Sequence, residues 1–331
     1  METKNKKALK SLNLDKYTIY FVLLGLVIIM SFASEYFLKS SNLTSMLSIE
    51  SPRAIFALGM GIVMISKGID LSVGAIAALA SVVSASLVQD PGYMSRILPP
   101  NIITPVWVAV LAGLAVGVIF GLLNGWLIAY LKLPPFIATL GVQTTVTGIA
   151  YLYTDTAPVS SVVSGFKVIS QGRIGSFPII VIYAVVLAVL VAVILNSTKF
   201  GKRIYAIGGN ESAARITGVN VEKTKMAIYC ISGVFSAFAG MLLAGRAGSG
   251  NALIGKGYEL TAVSACAIGG VSMNGGVGTL GGMMVGVLIL GVLNNGMLLM
   301  GLSTYIQEIL QGVIIVAAVT IDLRRALKRS R

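Results

Sequence analysis

Long apolar segments recur from one end of this chain to the other, separated by more polar stretches. We count ten such apolar segments. Six of them carry no charged residue, and the longest runs over 105–130. A helix of about 20 apolar residues crosses the hydrocarbon core of a bilayer, and somewhat fewer suffice where Gly or Pro breaks its ends. The pattern therefore predicts an integral membrane protein built from transmembrane helices.

The composition agrees with this prediction. Hydrophobic residues make up 56% of the 331 residues and charged residues only 11%, so a water-soluble domain would lack the polar surface to cover itself. We predict an all-α fold, a polytopic transmembrane helical bundle of about ten spans that forms a single domain over 1–331. The predicted spans are 17–37, 52–67, 71–88, 105–130, 136–153, 178–195, 226–244, 259–271, 277–299 and 304–322.

Several classes of function are excluded or disfavoured by residue types. The chain has no histidine, which excludes Ser-His-Asp hydrolysis, histidine proton relays and histidine-ligated metals. Cys230 and Cys266 lie inside apolar segments without metal-ligand spacing, so we interpret them as packing residues. The net charge of +13 comes mostly from basic residues between apolar segments, where they orient spans rather than bind nucleic acid. We predict no catalytic residue, no metal site and no nucleic-acid partner.

The polar stretch 196–225 fixes the predicted orientation. It is the longest polar interruption of the chain and carries six basic residues, which favours the cytoplasmic side of a membrane. Ten spans place both termini on that same side. This topology puts 18 of the 25 lysine and arginine residues inside, so we predict that both termini are cytoplasmic. The first apolar run is longer than the core of a signal peptide, which favours an uncleaved first span.

A docking element is predicted within this stretch. Gly208-Gly209-Asn210 is typical of a turn, and Asn210 can cap a short helix over Glu211–Arg215 that ends near Gly218. Small side chains leave this helix bare enough to enter a groove of another protein, through which a separate motor would move the membrane domain. The chain has no G-x-x-x-x-G-K-[ST] motif, so any ATPase would be another polypeptide. The predicted coupling residues are Gly208, Gly209, Asn210, Glu211, Ser212, Ala213, Ala214, Arg215 and Gly218.

The two halves of the sequence resemble each other. Gly68–Val73 is similar to Gly257–Ala262, and Ile119–Gly125 is similar to Ile289–Asn295 at an offset of 170 residues. Two related halves of five spans each must be inserted in opposite orientations, because five is odd. The pattern therefore predicts an inverted repeat, an arrangement that many transporters use for alternating access.

Polar residues near the repeat boundaries are candidates for a path or gate, because carboxylates at membrane depth are usually functional or paired. Asp70 and Glu259 each follow a lysine by three residues, so a local cap and ion pair with Lys67 or Lys256 is the structural alternative. Glu308 would face a water-filled vestibule or a subunit interface, and the glycines beside these residues would border the path or serve close packing. The path candidates are Asp70, Ser72, Asn124, Glu259, Asn294 and Glu308.

Eight motifs occur in order along the chain, namely Gly59–Val63, Lys67–Gly74, Asn124–Gly125, Pro135–Gly141, Phe200–Asn210, Ala213–Val219, Gly257–Leu260 and Gly269–Val271. Together they resemble the permease subunits of bacterial ribose/galactose-type ABC importers, and the resemblance covers about 18–322. Within that family, the stretch 89–104 and the runs Pro134–Phe136 and Gly275–Thr279 are more similar to galactose/methyl-galactoside permeases than to the shorter ribose permeases.

This resemblance implies partners and a location. Two permease subunits, expected as a homodimer, would contact membrane lipid in the bacterial inner membrane and form a path for the sugar. Two cytoplasmic ATP-binding subunits would hold ATP-Mg, with no cofactor in this chain, and an extracytoplasmic sugar-binding protein would deliver the substrate. Gly209–Gly218 would be the coupling helix in a cleft of the ATPase. The loops expected to meet the binding protein are 38–51, 89–104, 154–177 and 245–258.

Two alternatives differ in class. A secondary sugar transporter would work by rocking of the inverted repeat without an ATPase, and ATP-independent uptake would favour it. An intramembrane enzyme would need a nucleophile and base or a metal cluster at recognisable spacing, which the sequence does not offer. The identity of the sugar cannot be inferred from a permease whose specificity rests largely in its binding protein.

Overall fold

The computed structural model describes residues 2–99, 101–102 and 104–329, which form a mostly helical bundle. A small antiparallel hairpin, β1 (Arg173–Ile174) with β2 (Phe177–Pro178), corrects the prediction of an all-α fold. The helices are α1 Glu2–Ala33, α2 Ser40–Ile65, α3 Val73–Leu87, α4 Val106–Ala129, α5 Pro135–Thr154, α6 Ser164–Gln171, α7 Ile179–Ser197, α8 Lys199–Gly209, α9 Glu211–Ile216, α10 Val221–Ala247, α11 Tyr258–Ile268, α12 Leu280–Leu299 and α13 Thr304–Arg329.

Six helices in the described part of the chain are long and apolar enough to cross a membrane, namely α2, α4, α5, α7, α10 and α12. The stretch Tyr17–Ala33 of α1 and the helices α3 and α11 are apolar but shorter. Each of the ten predicted spans falls on a helix. The number of ten crossings nevertheless stays a prediction.

Two segments predicted as loops are helical. Helix α2 begins at Ser40 and contains Pro52, so 40–51 belongs to a helix rather than to an outer loop. Proline removes a single backbone donor, and neighbouring helices in a membrane tolerate that loss. The central stretch holds α8, α9 and the start of α10. The side chains of Thr198, Asn210 and Asn220 each accept a hydrogen bond from an amide three residues later, which defines the three helix starts.

Helices α2 and α10 form the centre of the bundle. α10 packs against α2, α3 and α4, and α2 packs against α10, α11 and α12. Their apolar windows are 83% and 61% buried, whereas those of α4, α5 and α7 are each only 28% buried. Large apolar side chains such as Leu111, Leu152 and Val189 point outward, as expected of surfaces that face lipid.

Glycines bring backbones into close contact at several places in the bundle. A Cβ added to Gly74 would overlap the carbonyl oxygen of Gly255, and one added to Gly255 would overlap that of Gly74. Gly269 and Gly282 approach each other in the same way between α11 and α12. The close-packing interpretation is confirmed at these positions, and a border with the path stays a prediction.

Candidate functional site

The predicted docking element consists of α8 and α9, joined at Asn210. Gly208 and Gly209 are the last residues of α8 rather than a turn, so that prediction is wrong, and the chain changes direction at Asn210 alone (φ −159°, ψ 104°). The Asn210 Oδ1 atom accepts a hydrogen bond from the Ala213 amide at 2.9 Å, as predicted for a cap. Gly218, with φ +83°, follows the end of α9 in the left-handed region that favours glycine.

Ion pairs attach α9 to the membrane helices. Arg215 Nη2 lies 2.7 Å from Glu222 Oε1 of α10, and Lys225 Nζ lies 2.6 Å from Glu211 Oε2. Lys132, in the connection between α4 and α5, reaches the same Glu222 oxygen at 3.1 Å. The hydrogen bond to Glu222 raises the pKa of the Arg215 guanidinium above its usual value. Each such exposed pair stabilises a fold by only about 0–1 kcal/mol, so the network chiefly fixes the orientation of α9.

The free side of α9 combines small side chains with one large apolar side chain. Ser212 and Ala213 are exposed, whereas Ala214 is buried against Ile207 of α8. Ile216, the last residue of α9, is 86% exposed. Ile216 lies within the predicted coupling helix Gly209–Gly218 but is absent from the nine predicted coupling residues. A β-branched aliphatic residue in a polar stretch was the signal that marked it.

The C-terminal end of α8 meets two distant loops at one junction. The Gly276 amide donates a hydrogen bond to the Ile65 carbonyl oxygen at 2.8 Å. A Cβ added to Gly208 would overlap that oxygen and lie 2.5 Å from the Gly276 nitrogen. The Tyr205 hydroxyl donates a hydrogen bond to the Gly278 carbonyl oxygen at 2.8 Å. Helix α8 is therefore wedged between the end of α2 and the α11–α12 connection.

Three path candidates form one buried polar network. Asp70 is fully buried, and its Oδ1 atom accepts hydrogen bonds from the Ser72 amide at 3.0 Å and hydroxyl at 2.6 Å. Its Oδ2 atom accepts one from the Ser232 hydroxyl at 2.8 Å, and Asn124 donates to the Ser72 hydroxyl at 2.7 Å. No ion pair joins Asp70 to Lys67 among the described residues, so the predicted local pairing is wrong. The network links the α2–α3 connection to α4 and α10.

The other three candidates lie around α11. Glu259 is buried, and its Oε1 atom accepts a hydrogen bond from the Gly257 amide at 3.3 Å. Within the described part of the chain it forms no ion pair with Lys256, so that prediction is also wrong. Asn294 and Glu308 line one cavity of about 550 Å³ between α2, α11, α12 and α13. The structure thus divides the six candidates between a buried network and the surroundings of a cavity.

Comparison with known proteins gives the family. The family described as branched-chain amino acid transport system / permease component matches residues 42–319. The chain belongs to this family. The permease is 43% identical to the galactose/methyl galactoside import permease protein of Haemophilus influenzae over 323 residues, 96% of each chain. It is 43% identical to the Escherichia coli K12 protein of the same name over 337 residues, 99% of this chain and 100% of that one.

A second group of relatives is named for a different sugar. The permease is 38% identical to the ribose import permease protein of Bacillus subtilis over 303 residues, 91% of this chain and 90% of that one. The resemblance drawn from the motifs is therefore confirmed, including the greater similarity to the galactose/methyl galactoside group. No solved structure matches the permease.

Proposed function

We propose that this permease is the membrane-spanning subunit of an ATP-driven importer of a monosaccharide, of the galactose/methyl galactoside or ribose class. The observation that carries the proposal is α9, an exposed and capped helix tied to α10 and connected through α8 to α2. It lies in a chain with nearly full-length similarity to sugar import permeases. A helix with this exposure and these attachments suits the transfer of motion from a partner.

Coupling would follow the contacts of α8 and α9. Ile216 and the small face of α9 would enter a cleft of a cytoplasmic ATP-binding subunit, which holds ATP-Mg. Closure of two such subunits would shift α9, and the ion pair between Arg215 and Glu222 would pass the shift to α10. The junction of Gly208 with Ile65 and Gly276 would pass it to α2 and α12. Movement of both central helices would switch the side to which the path opens.

The topology belongs to the same proposal. Ten spans would form two halves in inverted orientation, with both termini in the cytoplasm of a bacterium and the chain in its inner membrane. The contacts of the central helices support the repeat, because α10 packs on α3 and α4 while α2 packs on α11 and α12. In the proposed repeat α2, α3 and α4 correspond to α10, α11 and α12, so each central helix packs on the same two helices of the other half. Dominance of lysine and arginine in the connections assigned to the cytoplasm supports the orientation.

The remaining partners follow from the relatives' class. A second copy of the permease would complete the path, and an extracytoplasmic binding protein would deliver the sugar to the outer connections. Of the four predicted contact loops, 38–51 is mainly helical, so 89–104, 154–177 and 245–258 are the better candidates. Residues 100 and 103 of the loop 89–104 lie outside the described residues.

A point substitution on α9 tests the function. Ile216→Asp would be compared with Val168→Asp, a matched change of an exposed aliphatic residue on α6, 58% exposed. Each tagged variant would be expressed in a host strain lacking the native copy. Two readouts are needed. The first is co-purification of an ATP-binding protein in mild detergent. The second is ATP-dependent uptake of labelled galactose and ribose into membrane vesicles of known orientation.

The expected result is that wild type retains the ATP-binding protein and ATP-dependent uptake and that Ile216→Asp loses both. Val168→Asp should still retain the ATP-binding protein; its uptake does not serve as the control, because Val168 lies in the predicted contact loop 154–177. Burial of an isoleucine side chain contributes about 1.5–3 kcal/mol, so binding would weaken by about tenfold or more. Uptake that continues without ATP and responds to an ion gradient would refute the proposal. The lone secondary transporter would then replace it.

A further inference from the structure

The cavity beside α11 is lined by charged side chains, side-chain amides, a phenol and a hydroxyl. It has a volume of about 550 Å³, within the range of about 300–1,000 Å³ typical of small-molecule sites. Helices α2, α11, α12 and α13 all contribute residues to its lining. Its polar lining includes Arg53, Tyr258, Asn294, Gln307, Glu308 and Gln311.

Several of these groups are held in place by neighbours. The Tyr258 ring stacks on Phe56 with centroids 5.2 Å apart and planes at 10°. The Arg53 guanidinium carbon lies 5.8 Å from the Tyr258 ring centroid. The Gln311 amide donates a hydrogen bond to the Thr261 hydroxyl at 2.9 Å. Groups fixed in this way lose little further freedom when they bind a ligand.

The charges around the cavity favour a neutral ligand. The Arg53 guanidinium is already neutralised by Glu50, with Nη1 and Oε1 2.5 Å apart. The two other charged residues of the lining, Lys256 and Glu308, have opposite signs. An anion or a cation would therefore find no excess of opposite charge in the described lining.

The amides favour hydroxyl groups in particular. A sugar hydroxyl both donates and accepts hydrogen bonds, and the side-chain amides of Asn294, Gln307 and Gln311 also do both. The guanidinium and phenol add donors beside them. We propose that this cavity is a binding site for a neutral monosaccharide on its way through the permease, with Asn294, Glu308 and Tyr258 among its contacts. The inference rests on the proposed sugar importer and adds a place where the permease itself contacts the sugar.

A zwitterionic amino acid is the competing ligand, because the family description refers to branched-chain amino acids. Its carboxylate would need an unpaired cation, and Arg53 is already paired with Glu50. Its branched side chain would need an apolar pocket, whereas the apolar side chains of the described lining are chiefly Ile254 and Leu260. The observations therefore favour the sugar, and the amino acid becomes one arm of the test.

Protection of introduced cysteines tests the site. Cys230 and Cys266 would first be replaced by alanine. Asn294→Cys and Glu308→Cys would be made separately in that full-length background, on α12 and α13. Ser303→Cys provides a matched control, since Ser303 is exposed in the α12–α13 connection and does not line the cavity. Each variant in lipid nanodiscs would react with a small methanethiosulfonate reagent, alone and with D-galactose, D-ribose or L-leucine.

Galactose or ribose should slow the reaction at both cavity cysteines by the factor 1 + [L]/Kd, about threefold at a concentration of twice Kd. The reaction of Ser303→Cys and the effect of leucine should stay unchanged. Two cysteines on different helices keep the test valid if one variant folds poorly in size-exclusion chromatography. Absence of sugar protection, or protection by leucine alone, would overturn the inference.

Uptake by wild-type vesicles separates this inference from the proposed function. If ATP-dependent sugar uptake occurs but no sugar protects the cavity cysteines, the importer stands and the site is refuted. If the sugars protect the cysteines but uptake does not depend on ATP, the site stands and the importer fails.

Discussion

Gly208→Ala should open the junction that connects α8 to α2. The new methyl group would overlap the Ile65 carbonyl oxygen and crowd the Gly276 amide that donates to it. Overpacking of this kind costs about 1–3 kcal/mol, and the displaced hydrogen bond contributes about 1 kcal/mol more. The closed junction should therefore lose about 2–4 kcal/mol. Because 1.4 kcal/mol corresponds to a factor of ten, the closed population ratio falls about 30-fold to several hundredfold.

Hydrogen exchange followed by mass spectrometry measures this loss directly. The peptide that contains Gly276 should lose amide protection by about 30-fold or more, the factor worked out above, because exchange reports the local opening free energy. Gly209→Ala is a closely matched control, since it is the next residue of α8 and an added Cβ there meets nothing within 4 Å. That variant should keep the protection of the peptide.

The contrary result is equally well defined. If Gly208→Ala and Gly209→Ala show the same protection at Gly276 and the same uptake, the end of α8 is not wedged at this junction. Transmission from α9 would then have to pass through the ion pairs with α10 alone. Loss of uptake in Gly208→Ala with protection unchanged would also refute the argument, since the effect would have another origin.

Three further predictions concern Asp70→Ala, Glu222→Gln and Gly233→Ala, and the stability of each variant is measured by thermal unfolding in detergent. Asp70→Ala leaves the buried Ser72 and Ser232 hydroxyls without their acceptor and should destabilise the fold by about 1–3 kcal/mol for each unsatisfied group, whereas Ser232→Ala leaves only the buried Asp70 Oδ2 atom without its donor and should cost one such penalty, about 1–3 kcal/mol; equal effects would contradict the network. Glu222→Gln should change stability by less than about 1 kcal/mol yet reduce uptake, and a large loss of stability would contradict a purely orienting role. Gly233→Ala should destabilise the α4–α10 contact by about 1–3 kcal/mol, while Gly148→Ala, where an added Cβ meets nothing within 4 Å, should not; equal stability would contradict that contact.

The sequence predicts the helices of this permease because apolar length is a local property. The cap at Asn210 was also predictable, since donor and acceptor are three residues apart. The helical segment before Pro52 was missed because proline is typical of a helix start, and only the surrounding helices show that the chain continues through it. Local charge spacing gave the wrong partner for Asp70, because its hydrogen bonds come from the neighbouring Ser72 and from the distant Ser232 rather than from a lysine.

The path candidates illustrate the same limit. Asn124 and Asn294 occupy matching places in the predicted repeat, so the sequence treats them as equivalent. The structure buries the first in a polar network and places the second in a cavity wall. Packing of neighbouring helices decides between these environments, and a repeat in the sequence carries no information about it.

The junction at Gly208 is built from main-chain atoms, which bears on how such permeases diversify. The Gly276 amide and the Ile65 carbonyl are main-chain groups and are present whatever side chains surround them. Substitutions elsewhere therefore remove neither the donor nor the acceptor of this hydrogen bond. Side chains around the cavity can therefore be exchanged without altering this junction. Retargeting by design should begin with those cavity residues and leave the three junction positions untouched.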